Sequence, residues 1–109
     1  MYMTIAELPE FSRRAKQLLT EEEIDELFEF LAIHPQAGVI IQGTSGVRKL
    51  RWAREGKGKS GGVRVIYYFH NENIPLFLLT IYGKGKKDNL SKAERNELAK
   101  LIKLLVETY

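Results

Sequence analysis

The chain contains no cysteine, which excludes a disulfide framework, a thiolate metal site and a cysteine nucleophile, and suits a reducing compartment. Histidine is almost as scarce. His34 and His70 are the only imidazoles; they are not spaced as paired ligands on one helix and no acid cluster adjoins them, so a metal site has no support. No Gly-x-Ser-x-Gly elbow occurs, and the carboxylates gather toward the N-terminus, which leaves hydrolase triads and glycosidase pairs without a basis. No run approaches the roughly 18 apolar residues of a membrane-crossing helix, and Met1 to Glu7 show no basic region ahead of a long apolar stretch. A soluble, cytoplasmic protein without membrane partners is expected. With 109 residues, 44% of them hydrophobic and 28% charged, the chain has room for one compact domain spanning residues 1–109.

The net charge of +3 conceals a strong polarity along the chain. Residues 1–34 hold eight acids and three bases, while residues 35–45 hold no charge at all. Residues 46–64 then hold seven bases with Glu55 as the sole acid, a local charge of +6. One strongly basic sector follows, of the kind that attracts polyanions.

Tyr2 to Ala6 reads as a short strand, followed by a helix opening at Pro9, whose fixed φ suits a first turn. Phe11, Ala15 and Leu18 share its inner face. Thr20 and Glu23 have capping-box spacing, and Leu19 and Ile24 occupy the two staple positions, so a second helix starts there. Its apolar face is Ile24, Leu27, Phe28 and Leu31, and it ends at His34 because Pro35 disfavours helical geometry before it. After a turn-rich stretch from Gly38 to Gly46, Val47 to Ala53 reads as a strand without clean alternation, which fits a bulge or an edge. Arg54 to Gly62 reads as a flexible basic loop. Val63 to His70 and Leu76 to Tyr82 form a hairpin around Asn71-Glu72-Asn73, and Ser91 with Glu94 caps a final amphipathic helix bearing Leu98, Leu101, Ile102 and Leu105. The expected fold is α+β, a small antiparallel sheet packed with two N-terminal helices and a C-terminal helix.

Arg48, Lys49, Arg51, Arg54, Lys57, Lys59 and Arg64 lie within 17 residues, with Trp52 among them and Tyr67 and Tyr68 just beyond. Cations neutralise phosphates and an aromatic ring stacks an unpaired base, so the composition suits RNA. The bland alternative is a solvated basic face with Trp52 in the core. Ala53, four residues, then Gly58-Lys59-Ser60 satisfies a relaxed phosphate-loop pattern, but Gly61-Gly62 and a β-rich run follow where that loop needs a helix N-terminus. A nucleotide site is therefore rejected. His70 shares a strand face with Arg64, Ile66 and Tyr68 if alternation holds. Gly83-Lys84-Gly85-Lys86-Lys87 makes a second basic, glycine-broken loop.

Gln42-Gly43-Thr44-Ser45-Gly46-Val47-Arg48-Lys49-Leu50-Arg51, Gly56-Lys57-Gly58-Lys59-Ser60-Gly61-Gly62-Val63-Arg64-Val65-Ile66-Tyr67-Tyr68 and Leu78-Leu79-Thr80-Ile81-Tyr82-Gly83-Lys84 resemble the RelE/HigB toxins of bacterial type II toxin–antitoxin modules, the HigB branch above all. The resemblance spans most of the chain and is weaker over residues 1–41. It implies a RelE-like fold and a ribosome-dependent messenger-RNA endonuclease that inhibits translation without a metal or cofactor. The implied partners are the ribosome, messenger RNA and a neutralising antitoxin of helix-turn-helix type.

In such a reaction a ribose 2′-OH attacks the adjacent phosphate, so the site must deprotonate that hydroxyl, stabilise a dianionic phosphorane and protonate the leaving 5′-oxygen. The resemblance assigns Arg64 to the scissile phosphate and its transition-state charge. Lys57 and Lys59 match basic loop positions that orient the 2′-OH or act as its base, and Lys84 matches the basic position after the last strand with Lys86 as a companion. Arg48, Lys49, Arg51, Arg54, Lys86 and Lys87 are the RNA-binding candidates. The family's tyrosine after the last strand has no counterpart between Gly83 and Ser91, and Tyr82 is the tyrosine nearest that place. This departure keeps a second function class in view, a noncatalytic RNA- or ribosome-binding module.

Overall fold

Local signals fix the helices. In the computed structural model, which describes residues 2–54, 58–83, 85 and 89–109 (backbone alone for 54 and 58–61), α1 runs Pro9–Leu18, α2 Glu21–Ile33 and α3 Lys92–Thr108. Both capping boxes form: Glu23 N–H donates to Thr20 Oγ1 at 3.1 Å while Thr20 N–H donates to Glu23 Oε1 at 2.8 Å, and Ser91 and Glu94 repeat the two distances. Glu23 is accordingly buried, an exception on the otherwise acidic wet face of α2. His34 closes α2 as its C-cap, donating its N–H to Phe30 O at 2.8 Å.

Five strands form one sheet: β1 Ile5–Glu7, β2 Val39–Ile40, β3 Val47–Arg54, β4 Gly58–Tyr68 and β5 Leu76–Gly83, in the spatial order β1-β5-β4-β3-β2. The sheet is mixed rather than purely antiparallel, because β1 lies parallel to β5, with Ile5 opposite Leu76 and Glu7 opposite Leu78. The N-terminal strand begins three residues later than Tyr2. Met3 N–H is taken instead by Ala32 O at 2.9 Å, which ties the chain start to the end of α2.

Two further expectations are corrected. Val39 and Ile40, inside the stretch read as turns, pair with Lys49 and Arg48 as a two-residue edge strand. Residues 58–62, read as loop, belong to β4, with Gly58 opposite Arg54. Ladder hydrogen bonds run between backbones, so a strand can continue past its last apolar side chain, which is why composition missed this extension. A register shift between Trp52 and Arg54 supplies the irregularity expected of β3.

The sheet separates two cores. Val63, Val65 and Tyr67 of β4 pack with Phe11, Leu27 and Leu31 beneath α1 and α2. Val47, Ile66 and Tyr68 pack with Phe77, Leu79 and Ile102 beneath α3. Ahead of β3 the backbone turns through positive φ at Gly43, Ser45 and Gly46, and the buried Thr44 hydroxyl holds the turn by donating to Ile41 O at 2.6 Å and accepting from Val47 N–H at 3.0 Å. Gly46 has φ +105 and a Cβ there would lie 3.3 Å from the Tyr68 ring, so glycine suits it on both grounds.

Candidate RNA-cleavage site

Alternation along β4 decides which side chains meet. Arg64 shares the α3 side of the sheet with Ile66 and Tyr68, as the sequence pattern expects, and is only 5% exposed. Its cross-strand neighbours are Arg51 on β3 and Tyr82 on β5, so the three form a row across the middle of the sheet. Lys49, opposite Ile66, lies on the same side as Arg51 by the two-residue period.

Tyr82 reaches this row through a bulge. Ile66 pairs with Thr80 but Tyr67 pairs with Leu78, leaving Leu79 as an extra residue on β5. Leu79 therefore packs beneath α3, Ile81 two residues later packs on the opposite side, and Tyr82 returns to the α3 side, 6% exposed. Without the extra residue, strict alternation would put Tyr82 on the side of Leu76 and Leu78.

The electrostatics of the row are unusual. A guanidinium this deeply buried loses hydration, and two like charges directly opposite one another in a sheet repel. Among the described residues no carboxylate pairs with Arg64; the ion pairs Arg14–Glu10 (3.8 Å) and Lys100–Glu97 (3.6 Å) lie on α1 and α3. A planar, bidentate cation with no described carboxylate beside it is suited to a phosphate.

The other candidates divide between the two faces. Arg51 is exposed on the Arg64 side. Arg48 points to the α1/α2 side, where its Nη1 donates to Gly38 O at 2.8 Å and to Gln36 O at 3.1 Å, fastening the α2–β2 connection. Trp52 is also on that side, half-buried, with its ring centroid 5.2 Å from Phe30, which in turn lies 5.0 Å from the His34 ring. The ring proposed for base stacking thus faces away from Arg64. Arg54 ends β3 and Lys59 lies in β4 by their backbones, whereas Lys57, Lys84, Lys86 and Lys87 lie outside the described residues.

Three tyrosines of the middle strands do different work. Gly38 N–H donates to the Tyr67 hydroxyl at 2.8 Å, and burial pushes the Tyr67 phenol up despite that bond and the nearby Arg48 charge. Burial also raises Tyr68, whose hydroxyl lies 2.8 Å from His70 Nδ1. That pair is four residues along β4 from Arg64, about 13 Å at the rise of a strand, so His70 is not brought into the row. Only Tyr82 is.

A family model described as the RelE toxin of the RelE / RelB toxin–antitoxin system matches residues 10–108. The chain belongs to the RelE toxin family. It is therefore a toxin of a toxin–antitoxin system, with a cognate antitoxin as partner. The match takes in α1 and α2, where the resemblance read from residues alone was weak, and this RelE-family toxin has the three helices and the mixed five-stranded sheet of an α+β domain. Among the described residues, no helix is long and apolar enough to cross a membrane. What residue-level reading missed in this toxin is the Leu79 bulge; its one local trace is that Leu76 to Tyr82 runs apolar on both faces, which hides alternation.

Proposed function

We propose that this chain is a messenger-RNA endonuclease of the HigB-like branch, acting at the ribosome to stop translation, and that Arg64 is the centre of its site. The observation that carries the reading is the buried Arg64, with no carboxylate partner among the described residues, in line with Arg51 and Tyr82. Arg64 contacts the scissile phosphate and gains most as the phosphorane accumulates its second negative charge. Arg51, exposed at the rim of the same row, holds the entering phosphate, and the Tyr82 phenol supplies the proton for the leaving 5′-oxygen. Lys57 and Lys59 orient or deprotonate the 2′-OH, and Lys84 with Lys86 completes the cationic surround. Lys49, Arg54 and Lys87 bind the RNA backbone, whereas Arg48, expected there from sequence, faces the other side of the sheet and holds Gln36 and Gly38 instead. The nucleophile belongs to the substrate and the charge is met by side chains, so the reaction needs no metal. Cytoplasmic ribosomes and an antitoxin of helix-turn-helix type complete the reading.

Single-turnover cleavage of ribosome-bound message tests it. Arg64→Ala is expected to slow cleavage by about 10² to 10³ while ribosome affinity barely changes, the pattern of a group that acts mainly in the transition state. Arg64→Lys keeps the charge but loses the bidentate fork and should recover only part of the rate. Equal rates for parent and Arg64→Ala would remove Arg64 from the site. Tight ribosome binding by a parent that never cleaves would favour the noncatalytic binding module.

A further inference from the structure

One edge of the sheet lacks the usual protection. β2 is the last strand on that side, and Val39 and Ile40 are 73% and 53% exposed there. Edge strands are commonly guarded by charged side chains, a proline within the strand or a bulge, each of which deters a second chain from adding to the ladder. β2 has none of these. Residues 35–45 carry no charge, Pro35 lies in the turn ahead of the strand, and no bulge interrupts the pairing of Val39 and Ile40 with β3. The turn that leads into β2 extends the uncharged surface, with an open depression of about 510 Å³ lined by Phe30, Ile33, His34, Pro35, Gln36 and Ala37. Every residue from 30 to 49 is among the described residues.

The ladder fixes which backbone groups face outward. Ile41 N–H donates to Val47 O at 2.8 Å, and the register places Val39 opposite Lys49 and Ile40 opposite Arg48. Bonded and non-bonded positions alternate in an antiparallel pair, so Val39 and Ile41 turn their backbone groups toward β3, and Ile40 turns its N–H and C=O to the open side. Gly38, two residues earlier, gives its N–H to the Tyr67 hydroxyl and its C=O accepts from Arg48. Within β2, Ile40 alone offers one donor and one acceptor outward.

These features select the occupant. The edge strand holds no cation for a phosphate backbone and no charge for a charged peptide. A second copy of the chain presents the same apolar, uncharged strand. A two-fold axis beside Ile40 sets two β2 strands antiparallel and lets each Ile40 N–H reach the C=O of its counterpart. The two Ile40 side chains then meet on the α1/α2 side, where Arg48 is turned away to Gln36 O and Gly38 O. Lys49 and Arg51 of the two copies stay on β3 strands three spacings apart, about 14 Å.

We infer that the β2 edge joins two copies of this chain into one continuous sheet, each Ile40 paired with its own counterpart. Arg64 lies two strands further in and is left uncovered. Ile33, Val39 and Ile40 make a contact smaller than the roughly 800 Å² per partner of a standard interface, so the chain is monomeric at about 1 μM and pairs at hundreds of micromolar.

Sedimentation of the full chain from about 5 to 500 μM tests this. The mass is expected to rise from that of one chain toward that of two, more readily at about 0.5 M than at about 0.02 M salt, because like charges on the β3 strands oppose the contact. Val39→Lys and Ile40→Lys should stay monomeric throughout and melt like the parent. The chain has no cysteine, which allows the register to be read directly. Ile40→Cys sets two thiols on opposed positions with Cα atoms about 5.5 Å apart, whereas Val39→Cys leaves them about 8 Å apart, beyond a disulfide. Mild oxidation should therefore link Ile40→Cys several-fold faster, although Val39 is the more exposed. Should a lysine variant fail to fold, the cysteine pair carries the comparison. A single-chain mass at every concentration, or a dimer that both lysine variants keep, would overturn the inference. So would linking at Val39→Cys as fast as at Ile40→Cys, or association that weakens with salt, the mark of a head-to-tail contact between acidic α2 and the basic strands.

Discussion

Tyr67 concentrates several constraints in one side chain. It is fully buried, it receives the Gly38 N–H at 2.8 Å, and a Cβ added to Gly38 would lie 2.8 Å from its ring and 3.0 Å from Lys49 O. Tyr67→Phe strands a buried donor and should lower stability by about 1–3 kcal/mol at neutral pH, read from urea unfolding. The same residue predicts an alkaline limb. Its folded phenol ionises above the ordinary value of 10.0, so the unfolded chain releases the proton first. The stability this confers is whole below about pH 10 and is lost as pH rises through that value toward the folded one. Melting temperatures taken between about pH 8 and 11 should therefore fall at the top of the range, and fall less steeply in Tyr67→Phe, with Tyr68 keeping a smaller slope because its phenol is raised as well. A parent whose alkaline slope equals that of the variant would show that Tyr67 plays no part in it.

At the scale of elements, the sequence speaks most clearly where the interaction is local. Thr20 with Glu23 and Ser91 with Glu94 announce two helix starts because both partners lie within one turn, and both reciprocal bonds form. Removing either hydroxyl, as Thr20→Ala or Ser91→Ala, should lower stability by about 0.5–2 kcal/mol and the melting temperature by roughly 2–8 °C, measurable by circular dichroism. An unchanged melt would mean that tertiary packing alone sets those helix starts. What escaped was non-local. The parallel partner of β1 lies on the far side of the sequence, and the two residues of β2 carry too little pattern to separate from the turns around them. The candidate site divides in the same way: the side on which Arg64 lies was legible from the alternation of Val63, Val65 and Tyr67, whereas the orientation of Tyr82 depends on one extra residue in a strand whose apolar side chains fall on both faces. Trp52 shows the complementary error of composition, since a ring among cations in sequence faces α2 in space.

The whole molecule is electrically two-sided, with the acids concentrated in residues 1–34 and the bases in residues 46–64. If ribosome binding uses about six phosphate contacts from the basic strands, the log–log dependence of affinity on salt should have a slope of roughly −4 to −5, and reversing Lys49, Arg51 and Arg54 to glutamate should weaken binding broadly. A flat response would assign the basic strands to solvent. The pairing of β1 with β5 carries a different consequence, one of timing. Ile5 leaves a translating ribosome well before Leu76, and it finds no strand partner until Leu76 has followed. Closing so long a loop is slow, and the strand that closes it also delivers Tyr82 to Arg64. The order of synthesis thus acts as a fuse: the toxin's sheet stays incomplete until the ribosome making it has passed Leu76.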